Sequence, residues 1–436
     1  MARQTDIVLL GATGYTGRLC ATYMAKALPE TVTWALAGRS EAKLEIVASK
    51  LEYEGAAKFA VCAQSLTIRP PKGKLYALDL ASDDAIAELA RSARVIVNVI
   101  GPYASTCGTS VIKACAENGT DYVDCGEMPW LQEMIAEYDE VAQASGAKII
   151  FTAGWGAVPA DLSTYLAVQH IQKTFGLRTR EVLVSLDDVR GSFSGGSINS
   201  LCDLVGTYGP ARIAAASAPF RLTPLPRRPT DISGAGVLPS PNSFGVQTVD
   251  GLGVLVAGTQ ADIETAIVGR SWGLYAGVAH ASQRPDSYGH DFYFSSRMRM
   301  SNAVTAWSFR TAFMLLNTAL THIPPLRTLV SRLFPTSTGP SATERVRHHF
   351  RYRTLAIADA SEDAAAPKIE VEFAYDGDSY VFTGISLTEA ALLLLEGGTP
   401  AHERGGGILT PALLGEKLAE RLKRPGADVR IYIKAV

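Results

Sequence analysis

The sequence predicts an α/β protein in two parts, a doubly wound parallel sheet followed by an α+β domain with a mixed or antiparallel sheet. Three observations predict it. The first 155 residues alternate short apolar runs with amphipathic stretches, the rhythm of a parallel sheet with helical crossovers. A glycine-rich turn, Gly11-Ala12-Thr13-Gly14-Tyr15-Thr16-Gly17, separates the first apolar run from the first amphipathic stretch. Beyond Gly154 the rhythm changes, and later runs alternate apolar and polar residues at period two, as antiparallel strands with one solvated face do.

Strands are expected at Asp6–Leu10, Thr33–Ala37, Lys74–Leu78, Val95–Val99, Asp121–Asp124 and Lys148–Thr152. Helices near 15–28, 40–51, 82–91, 105–118 and 130–144 separate them, giving one domain over residues 1–155. The stretch Tyr53–Gly73 carries Pro70-Pro71 and reads as a surface insertion. In the second part, residues 156–400, a strand at Glu181–Val189 leads through a glycine-serine turn to a helix from about Ser197. A proline-rich loop spans Pro219–Pro241, and Phe350–Ile357, Lys368–Tyr375 and Tyr380–Thr383 read as strands. A closing segment, 401–436, has a helical pattern over Leu409–Leu422 and a strand at Val429–Ile433.

The most apolar helical stretch, Ala303–Phe334, is interrupted by Asn317, His322, Pro324-Pro325 and Arg327 before the roughly 20 residues a spanning helix needs. It reads as a core helix followed by a surface helix; a membrane-surface contact is the other reading, because both carry an apolar stripe. Lysine plus arginine (41) nearly balances aspartate plus glutamate (43) without a dense basic block, which argues against nucleic acid. The six cysteines show no CxxC spacing, so neither zinc nor a disulfide framework is indicated, and a reducing compartment fits. The start MARQTDIVLLGATG enters a strand at once, without the charged and apolar regions of a secretory leader, so a cytoplasmic protein is expected. No HExxH, GxSxG or P-loop lysine motif supports hydrolysis or phosphotransfer.

The glycine turn carries the chemistry. Gly11 permits the tight turn, Gly14 lets backbone approach a pyrophosphate, Gly17 allows close helix packing, and the helix start offers unpaired N–H donors around Thr13, Tyr15 and Thr16. A purely structural turn would share the pattern, but strand, spacing and the further β-α units favour a Rossmann dinucleotide site. After the second strand, Ala37-Gly38-Arg39-Ser40 holds no acidic residue for the ribose hydroxyls; Arg39, Ser40 and Lys43 suit a 2′-phosphate, hence NADP(H). Asp79 ends the third strand as an adenine contact or a helix cap. Asn98 and the turn at Gly101-Pro102-Tyr103 fall at the carboxyl edge of the sheet, near the expected nicotinamide ribose. Asp121, Tyr122, Asp124 and Glu127 cluster at the fifth strand, as ligand contacts or caps.

The motifs GATGYTG, AGRS, VIVNVIGPY, GTDYVDCGE, SGGS, GPSATER and GGGILTPALLGEKLAERL together resemble the saccharopine dehydrogenase-like oxidoreductase family, which includes mycobacterial trans-acting enoyl reductases. The resemblance runs from the first strand to the last helix, more weakly between about 205 and 340. It implies a Rossmann domain, a mixed-sheet domain, a carboxy-terminal helix packing back on the Rossmann part, and dinucleotide contact by Gly11, Thr13, Gly14, Tyr15, Thr16, Gly17, Arg39, Ser40 and Asn98. The chain departs from family patterns twice: Gly154-Trp155-Gly156-Ala157-Val158-Pro159-Ala160-Asp161 stands for GFDSIPSD, and Cys107 replaces the second tyrosine of GPYxxYG.

The resemblance implies an NADPH-dependent enoyl reductase of secondary metabolism or lipid biosynthesis, acting on an α,β-unsaturated carbonyl of an acyl or polyketide chain, free or carrier-bound. Tyr103, Ser194, Ser197 and the amides of the Ser194–Ser197 turn are the candidates for polarising the carbonyl. Saccharopine-type chemistry on a C=N or C–N bond is the alternative; it needs cations for carboxylates, and Arg190, Arg270 and Arg345 are available. A non-catalytic NADP(H)-binding scaffold at a membrane or lipid-droplet surface is the third reading, and a homodimer is compatible with all three.

Overall fold

The computed structural model describes residues 3–53, 59–61, 73–225, 236–282, 288–360 and 366–436. In chain order the first part contains β1 (Thr5–Leu10), α1 (Tyr15–Ala27), β2 (Trp34–Gly38), α2 (Glu41–Tyr53), β3 (Phe59–Val61), β4 (Gly73–Ala77), α3 (Asp83–Ser92) and β5 (Ala93–Asn98). It continues with α4 (Gly108–Asn118), β6 (Asp121–Asp124), α5 (Trp130–Ser145) and β7 (Lys148–Ile150). The second part contains α6 (Val158–Phe175), β8 (Thr179–Arg190), α7 (Gly195–Thr207), α8 (Gly209–Ala216), β9 (Val246–Val249), β10 (Gly253–Val256), α9 (Ala261–Ser282) and β11 (Tyr288–Met300). Then come α10 (Ala303–His322), α11 (Pro324–Leu333), α12 (Ala342–Arg345), β12 (His349–Ala358), β13 (Lys368–Tyr375) and α13 (Ser379–Glu396). The chain closes with α14 (Pro400–Arg404), β14 (Gly407–Leu409), a 3-10 turn at Pro411–Leu414, α15 (Gly415–Leu422) and β15 (Arg430–Ala435).

The first sheet has eight parallel strands in the order β14-β7-β6-β5-β1-β2-β4-β3. Six were expected; β3, inside the supposed insertion, and β14, which ends at Leu409 where the carboxy-terminal helix was expected to begin, are the additions. Residues 54–58 and 62–72 lie outside the described residues. The central strands are buried on both faces: Ile7, Leu9, Val95 and Val97 join one core, and Val8, Leu10 and Ile96 the other. That is why they read as continuous apolar runs. The chain fills one side of β1 with β2, the edge strand β3 and β4 between them, then restarts at β5 on the opposite side of β1, so the order reverses between β1 and β5. A crevice forms at the carboxyl ends of strands where the order reverses.

The second sheet is mixed, in the order β15-β13-β12-β8-β11-β10-β9; β8 and β11 pair in parallel and the others are antiparallel. The carboxy-terminal segment is therefore divided: β14 extends the Rossmann sheet beside β7, whereas β15 edges the second sheet beside β13. The helix that returns to the Rossmann face is α13, which packs on α1, β5 and β6, while α15 lies against α13 and α6.

Three expectations are corrected. Tyr380–Thr383 is the first turn of α13, not a strand, because Asp378 caps that helix, accepting from the amides of Tyr380 (2.9 Å) and Val381 (3.4 Å). The helix at Ser197 begins earlier, at Gly195, and its cap is Ser194, which accepts from the Ser197 amide at 3.2 Å. The helix from Ala303 is not a core helix: only Ala306 and Leu320 of α10 are buried. By length and composition α13 is apolar enough to cross a membrane, yet Phe382 through Leu394 are buried inside the protein.

Helices α1 and α13 cross at Gly384, where a Cβ would stand 2.9 Å from the Cys20 Cα and 3.0 Å from its nitrogen. Backbone cannot yield there, so Gly384→Val is expected to cost on the order of 1–3 kcal/mol by overpacking. A thermal melt checks this, and an unchanged Tm would show that the two helices can part freely.

Candidate active site

A cleft of about 1160 Å³ opens along the carboxyl edge of the Rossmann sheet, facing β8, α7, α10 and the start of α13. The Rossmann side is glycine, threonine and cation: Gly11, Thr13, Gly14, Thr16, Arg39 and Lys43. The opposite wall, from α7, α8 and α10, is aliphatic and aromatic, with Leu201, Leu204, Ile213, Phe309, Phe313 and Met314. The volume exceeds the several hundred Å³ typical of a single small-ligand pocket.

The turn after β1 is built for a close anionic guest. Gly11 takes φ +97°, a left-handed value, and a Cβ on it would meet Ile100 Cγ1 at 2.7 Å, so the loops leaving β1 and β5 press together. At Gly17 a Cβ would stand 2.1 Å from the Gly11 carbonyl oxygen, which forces glycine where α1 leaves the turn. Gly14 differs: its φ of −70° is ordinary, and outside its own helix and chain neighbours a Cβ would meet only the Gly11 oxygen, at 3.4 Å. No side chain caps α1, so its first amides are left for an anion. The residues present fit a dinucleotide.

Of the residues singled out in the sequence, Gly11, Thr13, Gly14, Tyr15, Thr16, Arg39, Lys43, Gly101, Tyr103, Ser194 and Ser197 line the cleft. Gly17, Ser40, Asp79, Asn98 and Pro102 are not in its lining. Ser40 accepts the Lys43 amide (3.4 Å) at the start of α2, and Asp79 accepts the Ala81 amide (3.0 Å) in the turn before α3. Asn98 is fully buried: its amide donates to the Tyr122 hydroxyl (3.2 Å) and its side-chain oxygen accepts the Ile100 amide (3.0 Å). Asp124 accepts from Gly126, Thr152 and Tyr122, and Asp121 pairs with Lys148, so both tie strand ends together. Glu127 alone of that cluster lines the cleft.

Tyr103 is a brace. Its hydroxyl donates to the Asn98 carbonyl (3.0 Å) and accepts the Cys125 amide (3.3 Å), its ring stacks on Trp130, and burial drives its pKa well above the usual phenol value. The arginines of the amino-acid reading do not converge. Arg270 is buried on the carbonyls of Ile408 and Leu222 beside Asp139; Arg345 stands behind Tyr15; only Arg190 reaches the cleft.

Sequence reading missed Tyr380. Its hydroxyl accepts the Ser194 amide at 2.7 Å and pairs with the Ser197 hydroxyl at 2.7 Å, and its ring meets Tyr15 edge-on at 5.3 Å. Two helices of the second part, α7 and α13, thus share a hydroxyl pair on the cleft wall. The Asp378-Ser379-Tyr380 start, a capping signal ahead of a long apolar helix, was the clue available. Glu127 accepts hydrogen bonds from the Ser200 hydroxyl and the Tyr103 amide, and burial, with Asp203 nearby, pushes it up to about 7. The indole N–H of Trp155, a cleft residue, is buried with no acceptor among the described residues.

A Rossmann sheet with an anion-ready turn, set against a second mixed-sheet domain across one cleft, defines a nicotinamide-dependent oxidoreductase. Residues 7–150 match the model of the saccharopine dehydrogenase NADP binding domain. The chain is 31% identical to a trans-acting enoyl reductase of Mycobacterium leprae and 31% identical to one of Mycobacterium tuberculosis, over 98% of this chain and 97% of each relative. Apo saccharopine dehydrogenase (L-Glu forming) from Saccharomyces cerevisiae shares the fold, with a TM-score of 0.50, 13% identity and coverage of 99% of this chain and 100% of that one. The chain belongs to the saccharopine dehydrogenase-like family of NADP-dependent oxidoreductases that contains the trans-acting enoyl reductases.

Proposed function

We propose that this oxidoreductase reduces the C=C bond of an α,β-unsaturated acyl chain, free or thioester-linked to a carrier, in the cleft between its two sheets. One observation carries the reading: a single cleft joins the dinucleotide turn, an apolar wall, and donors able to serve a carbonyl and a carbanion. Bound NADPH supplies the hydride, and the chain's own residues do the rest. Thr13 and the first amides of α1 would hold the pyrophosphate close to Gly11 and Gly14, whose own amides donate to the carbonyls of Ala37 (2.9 Å) and Gly11 (3.0 Å). Arg39 and Lys43, both exposed on the cleft rim, hold the 2′-phosphate.

The Ser197–Tyr380 hydroxyl pair is the donor to the substrate carbonyl oxygen. One proton of the pair is engaged between the two oxygens, and the other is left to donate a hydrogen bond, without being transferred, as charge builds on the carbonyl oxygen. Glu127 in its neutral form carries the proton that the α-carbon requires, so hydride and proton together saturate the double bond. The apolar wall from α7 and α10 favours an acyl chain over an amino acid, whose carboxylates would need the arginine cluster that the cleft lacks among the described residues.

Arg39→Ala is expected to weaken NADPH by about 10- to 100-fold, the value of one or two hydrogen bonds to a charged group, and to leave NADH affinity unchanged. Parallel titrations with the two cofactors check it. An equal loss for both would remove Arg39 from the 2′-phosphate. The reaction itself is tested by cofactor oxidation with an enoyl thioester, and a saturated product is expected.

A further inference from the structure

The outward face of α10 and α11 is apolar and exposed, with nothing packed on it among the described residues. Helix α10 turns Ala306, Phe309, Phe313, Asn317 and Leu320 inward, at three- and four-residue spacing, onto the cleft and the second sheet. Its opposite face presents Val304 (72% exposed), Trp307 (49%) and Leu315 (60%), and α11 adds Leu329 and Leu333. So many bulky apolar groups on one helical hairpin exceed the scattered exposure normal for a protein surface.

The charge of this region says what covers it. From Phe292 to Thr343 the sequence contains no aspartate or glutamate, while Arg310 and Arg332 are exposed beside the apolar face. A second copy in a two-fold contact would set these cations against themselves, with no carboxylate from the segment to answer them. Bulky apolar groups outnumber the exposed cations, which suits insertion into an interface more than pairing with an acidic protein surface. Trp307 has the amphipathic ring favoured at headgroup depth. Phe193 and Met314 are exposed and also line the cleft, so the mouth of the cleft opens at the edge of the same face.

We propose that the outer face of the α10–α11 hairpin docks on an anionic phospholipid bilayer, with the cleft mouth held at the interface. Docking itself does not depend on the reaction; that the bilayer delivers an acyl substrate to the cleft rests on the enoyl-reductase reading.

The full chain with NADPH should cosediment with vesicles of phosphatidylcholine mixed with phosphatidylglycerol, more weakly with phosphatidylcholine alone, and less as salt rises. Neither position of the double variant Trp307→Glu, Leu315→Glu is in the cleft lining. The variant should lose vesicle binding by about tenfold or more, in keeping with the apolar area withdrawn, while NADPH affinity and Tm stay as in the parent. Three results would overturn the proposal: no cosedimentation by protein that binds NADPH normally, equal binding to both vesicle types with no salt effect, or a dimer in light scattering that the double variant dissolves. Cosedimentation without enoyl reduction would remove the assigned reaction and leave the docking surface standing.

Discussion

Gly14→Val should weaken cofactor binding by about 100-fold or more while leaving the fold intact. The position has an ordinary backbone conformation, and outside its own helix a Cβ would meet only the Gly11 carbonyl oxygen, at 3.4 Å. Two further methyl groups would therefore extend into the cleft, where a pyrophosphate must lie against the amides. A loss of about 3 kcal/mol or more, about 100-fold in Kd, is expected for NADPH, with Tm within about 2 °C of the parent, the range of minor surface changes. Fluorescence titration and a thermal melt read the two separately. The same substitution at Gly17 would not discriminate, because its Cβ would stand 2.1 Å from backbone and unfold the turn. Undiminished NADPH affinity in Gly14→Val would remove the turn from the binding site.

Glu127→Gln should lower kcat by about 10²- to 10⁴-fold, the usual worth of a positioned general acid, with NADPH affinity retained. The pH dependence separates this from a structural role. Glu127 ionises near pH 7 in the folded chain, so turnover that needs its neutral form is full below that pH and falls as pH rises through about 7. The glutamine variant cannot ionise and should lose that alkaline limb. Stability should fall in the same direction. The raised folded pKa means that the stability Glu127 contributes is fully present below the ordinary glutamate value near 4.5 and is lost as pH rises through about 7. At pH 8 the variant should therefore melt no lower than the parent. An unchanged alkaline limb in the variant would assign the proton to another group.

Much of the Rossmann half was legible because its signals are local. Strands buried on both faces give unbroken apolar runs, and glycine is forced at Gly11 and Gly17 by contacts within the turn and with the loop after β5. The second half depends on distant contacts. Tyr380-Val381-Phe382-Thr383 alternates for only four residues, too few to outweigh the Asp378 cap, so the residue that brings a hydroxyl to Ser197 was read as part of a strand. β14 is three residues long and is strand only because β7 offers an edge. Tyr103, placed in the site by its turn, has its hydroxyl committed to Asn98 and Cys125, a geometry that sequence spacing does not encode. An apolar stripe on α10 marks an amphipathic helix in either setting, so the pattern alone did not reveal that one of its faces is open.

The most direct test of the central claim is single-turnover reduction of a trans-2-enoyl thioester by the purified chain with NADPH deuterated at the transferable position. The account predicts stoichiometric cofactor oxidation and a saturated product with deuterium on the β-carbon and a solvent proton on the α-carbon. Protein that binds NADPH tightly yet leaves enoyl thioesters of short, medium and long chain unreduced, while oxidising the cofactor with an amino acid and a keto acid, would contradict it.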